Sequence, residues 1–437
     1  LIKVINKKNS TKHLRKVKLF SKLFCVAGFV FLVLLVVACN QQTAPTATAV
    51  FHTAAPQPTT LPNPTQEQSL PPTQTATLPA AIAATAAPTA APTIPPILTP
   101  MPEATIPTAV VEVEEAVLPP GFSMVRFAPV NRPTALAFDG EGRLYATSND
   151  GTVTVFVDED GDGRSDFQQF FYQDFFIPLG ITVRPGTADV YVSSRGQINV
   201  LRDTDGDLRA DENTLFVRGL PRDWHQNNNL KFGPDGMLYV TIGSTCDVCQ
   251  EEDLRSATIM RFDPETAEGE VIATGLRNPY DLAFHPLTGD LFATDNGRDD
   301  LGEEAPKDEL NHITEGSNYG WPDCWDELVG PGCEGTTAAI AFFEPRASTN
   351  SLDFYGGSAF PVEYEHVLFA AVYGSRVREV ERGVAMITLT PDGDSYIGQV
   401  SWFARWPGTP LGLITGPDGA LYVGDYGNNL IYRFSYG

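Results

Sequence analysis

A strand–turn–strand unit recurs six times along this chain, and that repetition restricts the fold more than any other feature. Each copy reads apolar-x-apolar, a short polar turn with Gly, then apolar-Tyr-apolar, with some slippage between copies. They are LAFDGEGRLYAT (from Leu136), ITVRPGTADVYVS (Ile181), LKFGPDGMLYVT (Leu230), LAFHPLTGDLFAT (Leu282), LDFYGGSAFPVEYEHVLFA (Leu352) and LITGPDGALYVG (Leu413). Equivalent positions Phe138, Val183, Phe232, Phe284, Phe354 and Thr415 are spaced 45, 49, 52, 70 and 61 residues apart. Period-2 alternation around Asp-Gly and Pro-Asp-Gly turns is a hairpin signal. Its repetition at this interval, with no helical periodicity between copies, predicts propeller blades. The expected fold is all-β, a six-bladed β-propeller over residues 118–437. The segment 122–127 is expected to pair into the last blade. The long fourth interval, which holds 299–348, is expected to be loop on one face.

The residues before the repeats have a different character. Eight cations precede an uncharged apolar run over 23–38, which ends at Val-Val-Ala-Cys39. A basic segment, an apolar run and a small residue at the cut site read as a secretory signal over 1–39. Cys39 directly after Ala38 reads as a bacterial lipobox, with Cys39 acylated; the competing reading is an uncleaved signal anchor. Residues 40–117 hold Thr, Ala, Pro and Gln with no Lys or Arg, too little apolar surface to offset ordering entropy. This segment is expected to be a disordered, extended linker. The implied location is extracytoplasmic, lipid-anchored to the bacterial membrane, with no other membrane contact.

Charge and cysteine usage narrow the partners. The folded part carries 49 carboxylates against 22 lysines and arginines, a net of about −27. That excludes nucleic acid, which requires clustered cations. It suits calcium and a neutral sugar. Cys246-x-x-Cys249 and Cys324…Cys333 form two close pairs, read most simply as two local disulfides in an oxidising compartment.

Two acidic turns look like calcium loops. Asp158, Asp160, Asp162 and Asp166 stand at positions 1, 3, 5 and 9 of a nine-residue segment with Gly at 6. Alternate residues of a tight loop converge their oxygens on one hard cation. The pattern D-x-D-x-D-G-x-x-D resembles the hairpin loops of the integrin propeller. A second copy has Asp203, Asp205, Asp207 and Asp211, with Leu208 where the sharp turn prefers Gly. The alternative is a solvated acidic turn.

The segments DWHQNNNLKFGPDGMLYVTIGS (from Asp223) and GLRNPYDLAFHPLTGDLFATDNGRDDLGEEAPKDELNHITEGSNYGWP (from Gly275) resemble the glucose/sorbosone dehydrogenase family, nearest its sorbosone-like branch. Members oxidise sugars with pyrroloquinoline quinone (PQQ), so the resemblance implies a quinoprotein sugar dehydrogenase. It implies His225 as the general base, and a nearby carboxylate such as Asp223 is expected to orient and tune the ring. Arg277 and Asn278 are implied to contact the quinone, the guanidinium stabilising charge on the reduced ring. The backbone carbonyls of Gly297 and Arg298 are implied to ligate a cofactor-holding calcium. Electrons would leave to an exported acceptor.

The likeness thins after Asn318. The branch has His-Gly-Ser-Trp-Asn-Arg where this chain reads Tyr373-Gly374-Ser375-Arg376-Val377-Arg378, and Arg-Pro-x-Gly where it reads Thr409-Pro410-Leu411-Gly412. Arg376, Arg378 and Arg405 are the cations left to face a tricarboxylate. Two other readings remain: a cofactor-less displayed binding module, and a calcium-dependent lactonase using the run Asn227, Asn228, Asn229.

Overall fold

The computed structural model describes residues 115–375 and 379–437. The signal over 1–39 with Cys39, the linker up to residue 114, and Arg376 and Arg378 lie outside the described residues.

Six sheets, each with four antiparallel strands, make the six expected blades. Their inner strands are Pro133–Phe138, Gly180–Val183, Asn227–Phe232, Pro279–Phe284, Thr349–Phe354 and Pro410–Thr415, in blades 1 to 6. Each inner strand packs on its two neighbours, so the blades form a ring. Blade 6 takes its outermost strand from the start of the domain: Phe122–Pro129 pairs with Leu430–Tyr436, as expected.

The apolar interior is divided into six clusters, one between each pair of adjacent blades. The aromatic residue of every repeat occupies one of them: Tyr145, Tyr191, Tyr239, Phe292, Phe369 and Tyr422. Four of these rings meet the equivalent Phe of the next inner strand edge-on. The pairs are Tyr191–Phe232, Tyr239–Phe284, Phe292–Phe354 and Tyr422–Phe138, with centroids 5.2, 5.0, 5.4 and 5.0 Å apart. Edge-to-face geometry adds to the burial energy of such pairs. The repeat seen in the sequence is therefore the interblade contact itself.

The fourth interval departs from expectation. Residues 299–348 are not only loop. They include Lys307–Ile313 and Ala341–Pro345, the outer strands of blade 4, and Ser317–Asn318, which adds a parallel strand to blade 3. The strand KDELNHI buries Asp308 and Asn311 among its apolar residues, so its polar composition hides it.

Charged side chains lock the inner strands together. Lys231 in blade 3 donates to Leu352 O at 3.0 Å and Asp353 Oδ1 at 3.3 Å in blade 5. Asp281 of blade 4 is fully buried and accepts from Leu282 N at 2.7 Å and Leu352 N at 3.2 Å. Asp353 also accepts from Thr415 N of blade 6 at 2.8 Å. Burial disfavours the ammonium, but Asp281 and Asp353 together outweigh that and hold it charged.

Candidate active site on the axial face

In each blade, the turn entering the inner strand and the turn joining the second and third strands emerge on one face. His225 lies on the turn entering blade 3, and Arg277 and Asn278 on the turn entering blade 4. Ser244, Cys246 and Asp247 follow the second strand of blade 3, while Gly297 and Arg298 follow that of blade 4. Ring closure thus brings residues about 75 apart in sequence to one rim. The inner strands of blades 1, 3, 4, 5 and 6 have register shifts at this same end. Such bulges re-aim side chains at a mouth.

The tautomer of His225 follows from its partners. Its Nδ1 lies 2.9 Å from Ser244 Oγ and 3.2 Å from Ser244 O. The single Ser244 hydroxyl proton goes to Cys246 O at 2.7 Å. Nδ1 must therefore carry the hydrogen and donate, leaving Nε2 with a free lone pair. Burial first, then the Arg277 cation, pushes the imidazole pKa down to about 3. The ring is a neutral base at working pH. Asp223 does not orient it: its backbone N–H donates to His225 O at 2.8 Å, its side chain is exposed, and Ser244 holds the ring instead.

Gly243 permits the approach of His225 to Asn278. A Cβ there would lie 2.5 Å from His225 Cβ and 2.8 Å from Asn278 Oδ1. Asn278 receives Asn228 Nδ2 on its Oδ1 at 2.9 Å and donates its N–H to Asp295 Oδ1 at 2.7 Å. Asp295 Oδ2 accepts Arg277 N at 3.0 Å, so one buried carboxyl positions both residues. Burial raises Asp295 to about 7, and raises Asp308, which accepts Gly297 N and Thr349 N, to about 6. Glu309, opposite Asp295 in the ladder, is also raised well above its usual range by burial and then by Asp295.

Arg277 is buried and its guanidinium is occupied. Nη2 pairs with Asp247 Oδ1 at 2.7 Å and Asp299 Oδ2 at 3.0 Å, and Nη1 donates to Asn296 O at 3.1 Å. Asp247 is enclosed by the Cys246–Cys249 disulfide, so that four-residue loop fixes both Ser244 and Arg277. The Cys324–Cys333 disulfide is also formed, and both pairings match expectation.

Among the described residues, the guanidiniums of the other expected cations, Arg298 and Arg405, are engaged elsewhere. The Arg298 side chain turns onto Asp300 and the Trp325 ring. Its carbonyl accepts from Arg346 Nη1 at 3.2 Å, and the same guanidinium takes Gly302 O and both the carbonyl and carboxylate of Asp299. An internal cation thus takes the Arg298 carbonyl, one of the two oxygens read as calcium ligands. Arg405 ends the outermost strand of blade 5, paired with Glu381. Asn227 and Asn229 accept Gly196 N and Ile181 N on their Oδ1 atoms, and Asn228 donates to Asn278 Oδ1 and Pro279 O, so the run serves interblade hydrogen bonds.

At the mouth, five polar atoms are buried without a partner among the described residues: Ser148 Oγ, Tyr280 OH, Asn296 Oδ1, Thr349 Oγ1 and Thr409 Oγ1. Such groups are rare unless a ligand or water completes them. The acidic loops lie on the opposite face, each joining the outer two strands of blade 1 or blade 2. Asp158, Asp160 and Asp166 bring carboxylate oxygens within 4.8 Å of one another, as do Asp203, Asp205 and Asp211. Asp162 and Asp207 instead accept Arg164 N and Arg209 N, each at 2.9 Å. Leu208 takes the left-handed turn conformation (φ 64°) that Gly163 takes in the first loop, and its side chain packs on the cluster between blades 1 and 2.

The sequence reading missed Ser244, Asp247, Asp295 and Arg346. Only Asp247, between two paired cysteines, carried a local signal.

Comparison with known proteins agrees with this architecture. The chain is 26% identical over 353 residues to an uncharacterized protein of Borreliella burgdorferi, covering 73% of this chain and 90% of that one. It is 23% identical over 226 residues to the aldose sugar dehydrogenase YliI of Escherichia coli, covering 46% and 56%. Among solved structures, a Trichoderma reesei carbohydrate-active enzyme of family AA12 superposes with a TM-score of 0.66 at 17% identity, covering 76% of this chain and all of that one. The PQQ domain of Coprinopsis cinerea pyranose dehydrogenase gives 0.64 at 16%, covering 74% and 97%. At these identities the structural likeness establishes the propeller fold. A family model described as a domain of unknown function, DUF7133, matches residues 111–433, and the chain belongs to that family.

Proposed function

We propose that this propeller is a sugar oxidoreductase in which His225 Nε2 takes a hydroxyl proton as hydride leaves the adjoining carbon. The observation that carries this reading is the fixed tautomer: Ser244 holds Nδ1–H and leaves Nε2 unprotonated. The unpartnered polar atoms around the mouth favour a polar bound group such as PQQ. When bound, that quinone supplies the hydride acceptor, and an exported carrier takes the electrons onward. The chain's own part is to orient the hydroxyl, hold the base neutral and keep Arg277 charged nearby. The Arg298 carbonyl already accepts from Arg346, so no step is assigned to a calcium ion there.

The alternative of a cofactor-less binding module draws support from the carboxylate pairing of Arg277, Arg298 and Arg346. Mixing the purified protein with PQQ and calcium, then following dye reduction with aldoses, sorbosone and polyols, separates the two. Turnover is expected. Absence of quinone binding would leave the module, and lactone hydrolysis without quinone would favour the lactonase. Lipid anchorage through Cys39 outside the cytoplasm belongs to the same proposal.

Calcium is assigned to the acidic hairpins, where it rigidifies the outer edges of blades 1 and 2. Chelation should then lower the melting temperature, since an ion at 100 times its Kd stabilises the fold by about 2.7 kcal/mol. Asp160→Ala with Asp158→Ala should blunt that loss. A melting curve indifferent to chelator would remove both sites.

A further inference from the structure

We propose that the mouth between blades 2 and 3 recognises the carboxylate of an acidic sugar, a uronic acid, rather than a neutral one. The inference rests on the oxidoreductase reading only for the fate of the ligand; binding itself does not require turnover.

Two guanidiniums without a carboxylate partner among the described residues lie on the turn that carries His225 and on the one next to it. Arg222 lies against Gly196 and donates Nη1 to Arg195 O at 3.2 Å. Arg195 stands 5.8 Å above the Phe176 ring and donates Nη2 to Asp223 O at 3.3 Å, two residues from His225. Neither has an ion-pair partner among the described residues, although ten other arginines do. In a domain with more than twice as many carboxylates as cations, unpaired arginines at a mouth leave positive charge available there. Asp174 and Asp223 share these turns but are exposed and lie outside ion-pair distance of both.

Two aromatic residues on the turns entering blades 2 and 3 are exposed, Phe176 under Arg195 at 65% and Trp224 at 62%. Rings left in water beside a site offer a flat apolar face. The C–H face of a pyranose suits such a surface, and Arg is the side chain best shaped to take a carboxylate in two hydrogen bonds. On the blade 4 side the cations are already neutralised, with Arg277, Arg298 and Arg346 paired to Asp247, Asp299 and Asp300. A sugar carrying one carboxylate is therefore oriented, acid toward blade 2 and reacting hydroxyl toward His225.

Calorimetric titration with D-galacturonate and D-galactose, without quinone, tests this on the full protein. Galacturonate is expected to bind at least tenfold more tightly, with a preference that shrinks as salt rises. Arg195→Ala combined with Arg222→Ala should abolish the preference and leave galactose affinity unchanged, and Trp224→Ala should weaken both sugars. Both arginines are at the surface, and circular dichroism checks that the variants fold. Arg222→Glu provides a second check by turning the preference toward galactose. Equal affinity for the two sugars in the wild type, or a preference that survives in the double variant, overturns the proposal. So does loss of PQQ binding alone in that variant, which would assign the cations to the cofactor. Uronate binding without dye reduction would remove the oxidoreductase reading and leave this site standing.

Discussion

Replacing His225 with Ala is expected to lower kcat for sugar oxidation by about 10²–10⁴-fold, with ligand affinity nearly unchanged. A positioned base acts on the transition state, so the loss should fall on kcat rather than on binding measured by calorimetry. The acid limb of the pH profile should also be displaced. With the imidazole held near 3 by burial and Arg277, the base form persists far below the pH at which a free histidine protonates. Arg277→Met removes the cation and should move that limb upward. Less than a tenfold loss in His225→Ala would mean that another group takes the proton. Stability carries a linked signature: His225 binds its proton more weakly when folded, so its contribution is present above about 6.5 and is lost as pH falls toward 3. Asp295 acts in the opposite sense. Its raised pKa gives stability that is full below 3.8 and lost as pH rises through about 7.

Lys231→Met is expected to destabilise the propeller by about 3–5 kcal/mol, the usual result of removing one partner from a buried ionic network. The variant leaves Asp281 fully buried and Asp353 without its cation, while the inner strands of blades 3 and 5 lose their direct tie. Denaturant unfolding should report the loss as a lower midpoint. Adding Asp281→Asn and Asp353→Asn should recover much of it, because neutral amides need no counter-ion. A loss below about 1 kcal/mol would mean that water reaches the ammonium and screens the network.

The fold was legible because one residue per repeat does one physical job. Tyr145, Tyr191, Tyr239, Phe292, Phe369 and Tyr422 each fill the gap to the next blade, so interblade packing is written at a fixed place in every copy. The site was legible in part. His225, Arg277 and Asn278 do meet on one rim, near Asn228 and Asp295. Their partners could not be read, because which carboxylate reaches Arg277 depends on where two turns from different blades emerge. Asp299 and Arg346 are 47 residues apart, and nothing local in either segment announces their contact. The outer strands of blade 4 were missed for a related reason. The buried Asp308 obtains its hydrogen bonds from tertiary neighbours, Gly297 N and Thr349 N, so periodicity alone reads it as solvent-facing.

The pairing of Phe122–Pro129 with Leu430–Tyr436 has a consequence for the order of folding. Ser123 and Ser435 touch across 312 residues of chain, the span that must be synthesised before blade 6 can receive its outer strand. Hairpins in blades 1 to 5 form from near neighbours and need no such wait. The final step brings the two ends of the domain together, and its rate carries the entropy of the largest loop the fold contains. Until then Phe122–Pro129 presents an open strand edge to any other chain nearby. Weakening substitutions in Leu430–Tyr436 should therefore slow completion and promote aggregation during synthesis more than equal damage within blade 3.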